Sequence, residues 1–366
     1  MGSQVHVGIF LPRLGVGGIE QVAVNLSNKL LEYGYKVDIV LINKSGELLE
    51  DIKRGVNIVN LNVDSDYKIP IELREYLVSK EPDLLYSMLT PLNIIAIMTN
   101  ILSVGDTKNV VSEHNMMKSK VTNYKTNACF QLSKILYPLA DHIVTVSDGV
   151  SESVRNNTLA RQESISKIYN PIDVDGIRRL SEERSGHPWI DNPSTRIIIS
   201  GGRHETQKGF DTLIRSFSQT NLKKNKLLLF GEGPETDNLK KLVSELDVSD
   251  SVDFLGYVDN PYAYINESDV FVLSSRHEGF GIVLVEALAC GCPIVSTNCE
   301  SGPSEILADG KYGQLVPVDD EQKMAKAIEQ VLKSPSKSDT LSKRASDFSV
   351  DNSANQYDKL FQRLLK

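Results

Sequence analysis

The fold is indicated most clearly by residues 5–33, which read VHVGIFLPRLGVGGIEQVAVNLSNKLLEY. An apolar run, Val5–Leu11, is followed by a glycine-rich loop, Arg13–Gly18, and then by an amphipathic stretch, Gln21–Tyr33. The apolar run has the length of a buried strand, and the amphipathic stretch has the length of a helix. A strand, a short loop and a helix in this order predict one half of a βαβ unit.

The same alternation continues through the first half of the chain. Further strands are predicted at Val37–Ile42, Val56–Leu61, Leu84–Ser87, Asn109–Ser112, His142–Val146 and Ser166–Tyr169. Helices are predicted between them at Ile71–Ser79, Leu92–Leu102 and Phe130–Ala140. Because the strands are almost entirely apolar, both faces of the sheet should be covered, as in a parallel α/β sheet.

A polar stretch, Ser181–Ser194, interrupts this pattern and contains Pro188 and Pro193, which favours a linker or a long loop. The alternation then resumes. Strands are predicted at Arg196–Ser200, Lys226–Phe230, Val252–Leu255, Val270–Leu273, Ile294–Ser296 and Gln314–Val316. Helices are predicted at Asp211–Gln219, Glu235–Leu246, Ile282–Ala289 and Glu321–Lys333.

We therefore expect an α/β protein with two doubly wound, Rossmann-like domains, residues 1–175 and 190–349, that face each other across a cleft. Ligands of such sheets bind outside the carboxyl ends of the strands, so the main site should lie in that cleft. A last helix, Asn352–Leu365, carries apolar side chains at helical spacing and must pack on another element.

Composition excludes several classes of protein. The 366 residues carry a formal net charge of −8, which argues against a general nucleic-acid binder. We interpret the 4 cysteines as reduced thiols of a cytosolic protein, and the spacing of Cys290, Cys292 and Cys299 does not match a zinc site. The N-terminus does not read as a signal peptide, and no apolar run approaches the roughly 20 residues of a membrane span.

The loop at Gly15–Gly18 is a candidate anion site. It precedes a helix whose first N–H groups are unpaired, and its glycines allow close approach of the backbone to a ligand. It does not match the dinucleotide fingerprint, and no acid follows the second strand to hold a ribose, so dinucleotide binding is disfavoured. A tight strand-to-helix turn with no ligand is the alternative.

A second candidate follows the first strand of the second half, at Ser200–Gly209. Arg203 and Lys208 are spaced so that two cations could clamp a diphosphate, with the arginine acting as a fork and the lysine as a point charge. A solvated basic loop is the alternative.

The strongest motif is Arg276–Glu286, RHEGFGIVLVE, in which two glutamates are separated by seven residues. Glu278 stands in a glycine-rich loop, and Glu286 lies in the apolar helix that follows. A buried carboxylate is costly without a partner, and a ribose diol would supply two hydrogen bonds. The amides of Gly279, Phe280 and Gly281 could hold phosphate oxygens at the helix start. The alternative for Glu286 is a pair with a buried cation.

With these motifs the chain resembles, over nearly its whole length, the retaining nucleotide-sugar glycosyltransferases of GT-B fold in family four. The resemblance rests on Gly15–Gly18, Gly201–Arg203, Lys208–Gly209, Phe230–Pro234 and the Glu278/Glu286 pair. It implies that Arg203 and Lys208 bind the donor diphosphate, Glu278 contacts the donor sugar and Glu286 holds the ribose. It also implies that the last helix, within residues 350–366, returns to the first domain.

The resemblance assigns further residues to the donor site. Tyr257 and Val258 would flank the base through their backbone, and Gly17 and Gly18 would approach the donor from the first domain. His114 would lie near the donor sugar, although a capping or core histidine is the alternative. No obligatory metal or other cofactor is implied, and we interpret Asp64-Ser65-Asp66 as a solvated turn rather than a metal-binding D-x-D.

The expected reaction moves a hexose or N-acetylhexosamine from a UDP-sugar, with a GDP-sugar as second choice, to a glycan or lipid-linked glycan. A GT-B-like phosphorylase and a non-catalytic nucleotide-sugar module are the competing classes. Residues 115–137 combine lysines with apolar side chains and carry no acid. They are either a peripheral contact with anionic membrane on its cytoplasmic side or a loop and core helix.

Overall fold

The computed structural model describes residues 4–103, 105–117, 124–334 and 339–366. The chain divides into two compact units. The first unit extends to Ile172 and includes Val350–Lys366, and the second is Asp173–Ser349.

The first unit is built on a parallel sheet of 7 strands in the order β3-β2-β1-β4-β5-β6-β7. The strands are β1 His6–Leu11, β2 Lys36–Leu41, β3 Asn57–Asn60, β4 Leu84–Met88, β5 Lys108–Glu113, β6 His142–Thr145 and β7 Ile165–Lys167. The helices between them are α1 Gly18–Glu32, α2 Ile69–Lys80, α3 Thr90–Ser103, α4 Tyr124–Leu136 and α5 Asp148–Asn157.

The second unit has a parallel sheet of 6 strands in the order β10-β9-β8-β11-β12-β13. The strands are β8 Arg196–Gly201, β9 Asn225–Phe230, β10 Val252–Gly256, β11 Val270–Leu273, β12 Ile294–Thr297 and β13 Gln314–Val316. The helices are α6 Val174–Ser181, α7 Phe210–Ser218, α8 Thr236–Glu245, α9 Pro261–Glu267, α10 Ile282–Ala289, α11 Pro303–Ile306, α12 Glu321–Lys333 and α13 Asp339–Ala345. Two doubly wound parallel sheets confirm the predicted fold class.

The last helix, α14 Val350–Leu364, belongs to the first unit, as predicted. Tyr357 and Phe361 are one helical turn apart, so both side chains face the sheet. The hydroxyls of Tyr86 on β4 and Tyr357 are 2.8 Å apart, and their rings meet edge to face with centroids separated by 5.5 Å. The opposite face of β4 carries Leu85, which packs with Leu73 of α2 and other apolar residues. Both faces of this strand are therefore buried, which explains its apolar sequence.

The stretch Ser181–Ser194 does not connect the two units. The second unit already begins at Asp173, whose carboxylate caps α6 by accepting a hydrogen bond of 3.0 Å from the Gly176 N–H. The following loop is bound to that unit, because His187 Nε2 lies 3.1 Å from the Asp253 carboxylate and the Ser185 N–H donates to Glu267. Of the two sequence-based alternatives, the structure has the long loop.

Candidate active site

The predicted cations of the second unit and the first glutamate of its motif follow two neighbouring strands of the sheet. From β8 the chain continues to β9 on one side, whereas β11 lies on the other side of β8. Strand order reverses between β8 and β11, and ligands of doubly wound sheets bind outside the carboxyl ends at such a point. Arg203 and Lys208 follow β8, and Glu278 follows β11.

The loops after β8 and β11 are bonded to each other. The Arg276 N–H donates to the Gln207 carbonyl at 2.8 Å, and the Ser274 hydroxyl donates to the Lys208 carbonyl at 2.8 Å. Gly209 has a left-handed backbone with φ of +62°, and a Cβ there would lie 2.2 Å from the Ser274 carbonyl oxygen. Glycine is required at this position by both its conformation and its close contact, and the loops hold Lys208 in place.

Lys208 and Glu278 form a partly buried ion pair. Lys208 Nζ lies 2.7 Å from Glu278 Oε1, and the Ser275 hydroxyl donates to the same oxygen at 2.6 Å. The Glu278 side chain is only 8% exposed. A buried carboxylate needs a cation and hydrogen bonds, and these two residues supply them.

Arg203 is placed differently from Lys208. Its side chain is 70% exposed, and its Nε lies 3.0 Å from Glu205 Oε1. Gly201, just before it, is in close contact with the ring of Phe230, since a Cβ on Gly201 would lie 2.1 Å from that ring. The backbone that presents Arg203 is therefore tightly packed while its guanidinium reaches into solvent.

Glu286 has a neutral partner and no cation among the described residues. It lies on α10, and the Tyr262 hydroxyl of α9 donates to its Oε1 at 3.3 Å. Among the described residues its side-chain partner is Tyr262 and no cation pairs with it, which does not favour the alternative of a buried cation. Burial raises the pKa of the Glu286 carboxyl to about 7, because desolvation disfavours its charged form.

The turn that follows Glu278 is held in place by the loop before α11. Gly281 precedes α10 with φ of +94°. Gly302 also has positive φ, and a Cβ on it would lie 1.8 Å from the Phe280 carbonyl oxygen. The Ser301 hydroxyl donates to the Gly279 carbonyl at 2.9 Å. The loop before α11 thus covers this turn, and a larger residue at Gly302 would displace it.

The predicted residues of the first unit also lie at carboxyl ends of strands. Gly17 is the N-cap residue of α1, which follows β1, and Gly18 is the first residue of that helix. His114 follows β5, is buried, and has its Nε2 2.9 Å from the Ser112 hydroxyl. Burial lowers the pKa of His114 to about 4, so its imidazole is neutral at pH 7. β1 and β5 are the two neighbours of β4 in the sheet.

Known proteins resemble this chain over most of its length. A model of glycosyltransferase family 4 matches residues 16–175, and a model of glycosyl transferases group 1 matches residues 187–348. An N-acetylgalactosamine-N,N'-diacetylbacillosaminyl-diphospho-undecaprenol 4-alpha-N-acetylgalactosaminyltransferase of Campylobacter jejuni is 30% identical over 89% of this chain and 90% of its own length. The chain belongs to the group 1 and family 4 glycosyltransferases.

Two further similarities extend this finding. The lipopolysaccharide core biosynthesis glycosyltransferase LpsE of Rhizobium meliloti is 30% identical to this glycosyltransferase over 86% of each chain. The crystal structure of Anabaena HepE in complex with UDP superposes with a TM-score of 0.81, at 18% identity, over 98% of this chain and 100% of that one. At that identity the structural match shows the GT-B fold.

Two residues that lie next to predicted site residues were not singled out by sequence reasoning, one in each unit of this glycosyltransferase. Arg276 donates to the Thr206 carbonyl at 2.6 Å and lies 2.8 Å from Asp211 and 3.0 Å from Asp319, so it braces the loop that carries Lys208. Its position directly before the glutamate motif was the available signal. The other missed residue is Glu113, at the end of β5.

Glu113 is buried in a polar network of the first unit. It is 1% exposed and accepts hydrogen bonds from the Tyr137 hydroxyl and, at 3.2 Å, from the Thr90 hydroxyl. Asn93 Nδ2 donates to the Tyr137 oxygen at 3.1 Å. Desolvation raises the pKa of Glu113 to about 7. An acid at the last position of an apolar strand, next to His114, was the signal in the sequence.

The other site predictions concern the base and a metal. Tyr257 and Val258 follow β10, and the Tyr257 side chain is exposed. Asp64 is exposed and lies 2.9 Å from Lys68, in agreement with a solvated turn. Within the described ranges, no group of three or more histidine, cysteine, aspartate or glutamate side chains could hold a metal ion.

Proposed function

We propose that this glycosyltransferase transfers a hexose or N-acetylhexosamine from a UDP-sugar to a glycan or lipid-linked glycan, with retention of anomeric configuration. The observation that carries the proposal is the placement of the two glutamates. Glu278 is paired with Lys208 at the strand-order switch, and Glu286, eight positions later, keeps a carboxylate oxygen without a protein partner among the described residues.

The similar proteins support the donor and acceptor classes. The Campylobacter jejuni relative is named for N-acetylgalactosamine transfer on a diphospho-undecaprenol glycan, and the Rhizobium meliloti relative for lipopolysaccharide core biosynthesis. The Anabaena structure contains UDP. We therefore propose UDP, before GDP, as the nucleotide of the donor. We propose polysaccharide or lipid-linked glycan synthesis as the process in which the enzyme acts.

The proposed chemistry uses charge rather than a covalent intermediate. Negative charge grows on the departing diphosphate in the transition state, and preorganised cations stabilise it. Lys208 has three N–H donors, so it can keep its hydrogen bond to Glu278 and donate to a phosphate oxygen at the same time. Arg203 would reach the diphosphate from its exposed position, and the Gly279–Gly281 amides would add uncharged donors. No step of this scheme requires a metal ion.

Glu278 would then orient the donor sugar. Lys208 and Ser275 both occupy its Oε1, which leaves Oε2 available to accept from a sugar hydroxyl. For retention we propose same-face transfer: the bond between the anomeric carbon and the diphosphate oxygen breaks, the acceptor oxygen bonds to the same face of that carbon, and the departing phosphate takes the proton of the acceptor hydroxyl. His114, which is neutral at pH 7, would contact the donor sugar as a hydrogen-bonding group rather than as a charge.

Nucleotide binding tests the donor site. We expect UDP, or failing that GDP, to raise the Tm of the wild-type protein at pH 8, where Glu286 is ionised, and ADP and NAD to leave it unchanged. Ligand at 100 times its Kd stabilises by about 2.7 kcal/mol. For units of this size that corresponds to roughly 5–10 °C. Glu286→Gln should abolish the shift, because the amide lacks the negative charge and one of the two acceptors for the ribose diol, and a hydrogen bond to a charged group contributes about 1.5–3 kcal/mol.

Other outcomes of the nucleotide experiment would contradict the proposal. A shift with NAD alone would indicate an oxidoreductase, and equal shifts in wild type and Glu286→Gln would remove Glu286 from the nucleotide site. Incubation of donor with acceptor distinguishes an enzyme from a binding module, and independence of inorganic phosphate excludes a phosphorylase. The anomeric coupling in the product NMR spectrum would show retention or inversion.

We further propose peripheral contact with anionic membrane through residues 115–137. Lys118 and Lys120 lie outside the described residues, as does the side chain of Lys125. The described part of α4 exposes Leu132 and Ile135, the latter to 65%. No helix among the described residues is both long and apolar enough to cross a bilayer. Exposed apolar side chains beside lysines suit the surface of an anionic bilayer.

Vesicle sedimentation tests the membrane contact. We expect the wild-type protein to pellet with vesicles rich in phosphatidylglycerol and to stay in the supernatant with phosphatidylcholine alone. Changing Lys118, Lys120 and Lys125 to Glu should lower the pelleted fraction several-fold, since each basic residue near the surface contributes about 1 kcal/mol. The control variant changes Lys240, Lys241 and Lys326 of the second unit to Glu. Equal pelleting of both triple variants would end this proposal.

A further inference from the structure

Among the described residues, Tyr262 is the one that forms a hydrogen bond to the Glu286 carboxylate. It is the second residue of α9, which packs against α10, and its hydroxyl donates to Glu286 Oε1 at 3.3 Å. The negative charge of Glu286, together with burial, raises the pKa of Tyr262 far above its usual range. Tyr262 therefore remains a protonated phenol at every physiological pH and acts toward Glu286 as a hydrogen-bond donor.

The hydrogen bond distinguishes the two carboxylate oxygens. A carboxylate has about four lone-pair positions, and a lone glutamate side chain at a helix surface rotates freely about its last bond. With Tyr262 on Oε1, rotation is restricted, and Oε2 and the second lone pair of Oε1 are left to accept other hydrogen bonds. Two adjacent acceptor positions with fixed orientation match the two hydroxyls of a vicinal diol.

The position of Tyr262 does not depend on its hydroxyl. The Asn260 side chain caps α9 by accepting from the Ala263 N–H at 3.4 Å, and its Nδ2 donates to the Leu180 carbonyl at 2.9 Å. Pro261 supplies the restricted φ that favours the first helical position. Removal of the phenolic oxygen alone should therefore leave the helix and the ring in place. The hydroxyl is thus not needed for folding, and its effect on Glu286 can be tested separately.

We propose that Tyr262 is a positioning residue that orients Glu286 toward the 2′- and 3′-hydroxyls of the donor nucleotide and so makes the site selective for ribonucleotides. The inference rests on the proposed function, because it requires a nucleotide in this site. Tyr262 contacts Glu286 and not the reacting atoms. Its removal should therefore change the affinity for the donor and the preference for ribose over deoxyribose in the nucleotide.

Calorimetry at pH 8 tests this role by measuring how UDP and 2′-deoxy-UDP bind to wild type, Tyr262→Phe, Tyr264→Phe and Glu286→Gln, with GDP and 2′-deoxy-GDP in parallel. Tyr262→Phe should weaken binding of the ribonucleotide about 5- to 10-fold, the effect of one hydrogen bond. It should change binding of the deoxynucleotide less than twofold. Steady-state kinetics should show a raised donor KM with unchanged kcat. Tyr264→Phe, which removes a hydroxyl from the same helix, should bind both nucleotides as wild type does.

The results separate this inference from the proposed function. If wild type binds UDP or GDP and Glu286→Gln does not, the nucleotide site stands. Wild-type affinity of Tyr262→Phe, or an equal loss for the ribo- and deoxynucleotide, would then overturn the positioning role alone. If the wild-type protein binds none of the four nucleotides, the proposed function and the positioning role both fail.

Discussion

Lys208→Ala is expected to lower kcat/KM for sugar transfer by about 100- to 1000-fold, the effect of removing one preorganised group that stabilises transition-state charge. Lys208 is held 2.7 Å from Glu278 by loops that are bonded to each other, so its ammonium is in place before a diphosphate develops charge. Arg203 is 70% exposed and less constrained, and we expect its replacement by alanine to cost less.

The Lys208→Ala experiment needs a check on folding. Loss of the lysine leaves the buried Glu278 carboxylate without a cation, and breaking such a pair typically destabilises by about 3–5 kcal/mol. The double variant Lys208→Met/Glu278→Gln removes both charges and should recover much of this stability while remaining inactive. Lys326→Ala, at an exposed position of α12, is the matched control and should keep full activity. Activity of Lys208→Ala within fivefold of wild type would exclude the lysine from the diphosphate site.

Glu113→Gln is expected to stabilise the first unit at pH 8 by up to about 3 kcal/mol, because its pKa of about 7 lies well above that of an unfolded glutamate. The folded state binds this proton more tightly than the unfolded state does. The wild-type free energy of unfolding therefore loses the Glu113 contribution as the pH rises from about 4.5 through 7. A glutamine at position 113 has an oxygen that can accept from the Tyr137 hydroxyl and an NH2 group that can donate to the Thr90 hydroxyl. It carries no charge.

The difference in the free energy of unfolding between Glu113→Gln and wild type should thus grow with pH. Urea unfolding at pH 5 and pH 8, followed in both proteins, measures it, and other titrating groups cancel in the comparison. Among these are His114 and His142, whose burial lowers the pKa of each to about 4 and acts in the opposite direction. Glu152→Gln, at an exposed position of α5, should change nothing at either pH. A difference that is equal at pH 5 and pH 8 would contradict the proposed ionisation cost.

Much of the fold could be predicted because its determinants are local. Each strand is a short apolar run followed by turn residues and an amphipathic helix, and burial on both faces of a parallel sheet leaves a clear pattern. The strand Val270–Leu273 and the helices Ile282–Ala289 and Glu321–Lys333 were predicted with the bounds that the structure has. The last helix was expected to pack because its apolar residues share one face.

What the sequence did not reveal depends on partners that are distant along the chain. The prolines in 181–194 indicated a break, but whether that break separates domains is decided by contacts such as His187 to Asp253. The pairing of Lys208 with Glu278 and the network around Glu113 likewise join residues from different loops and strands. Spacing predicted that the two glutamates share one ligand, whereas the hydrogen bond from Tyr262 to Glu286 is visible only in the structure.

The return of α14 to the first unit has a consequence for synthesis on the ribosome. The sheet of that unit is complete in sequence at Lys167, but the helix that covers Tyr86 is made only after the whole of Asp173–Ser349. At about 5–20 residues per second, the part of the sheet face around Tyr86 stays uncovered on the nascent chain for roughly ten seconds or more. During that interval the face is a natural binding surface for a chaperone. A chain released before Phe361 would leave it permanently open to aggregation.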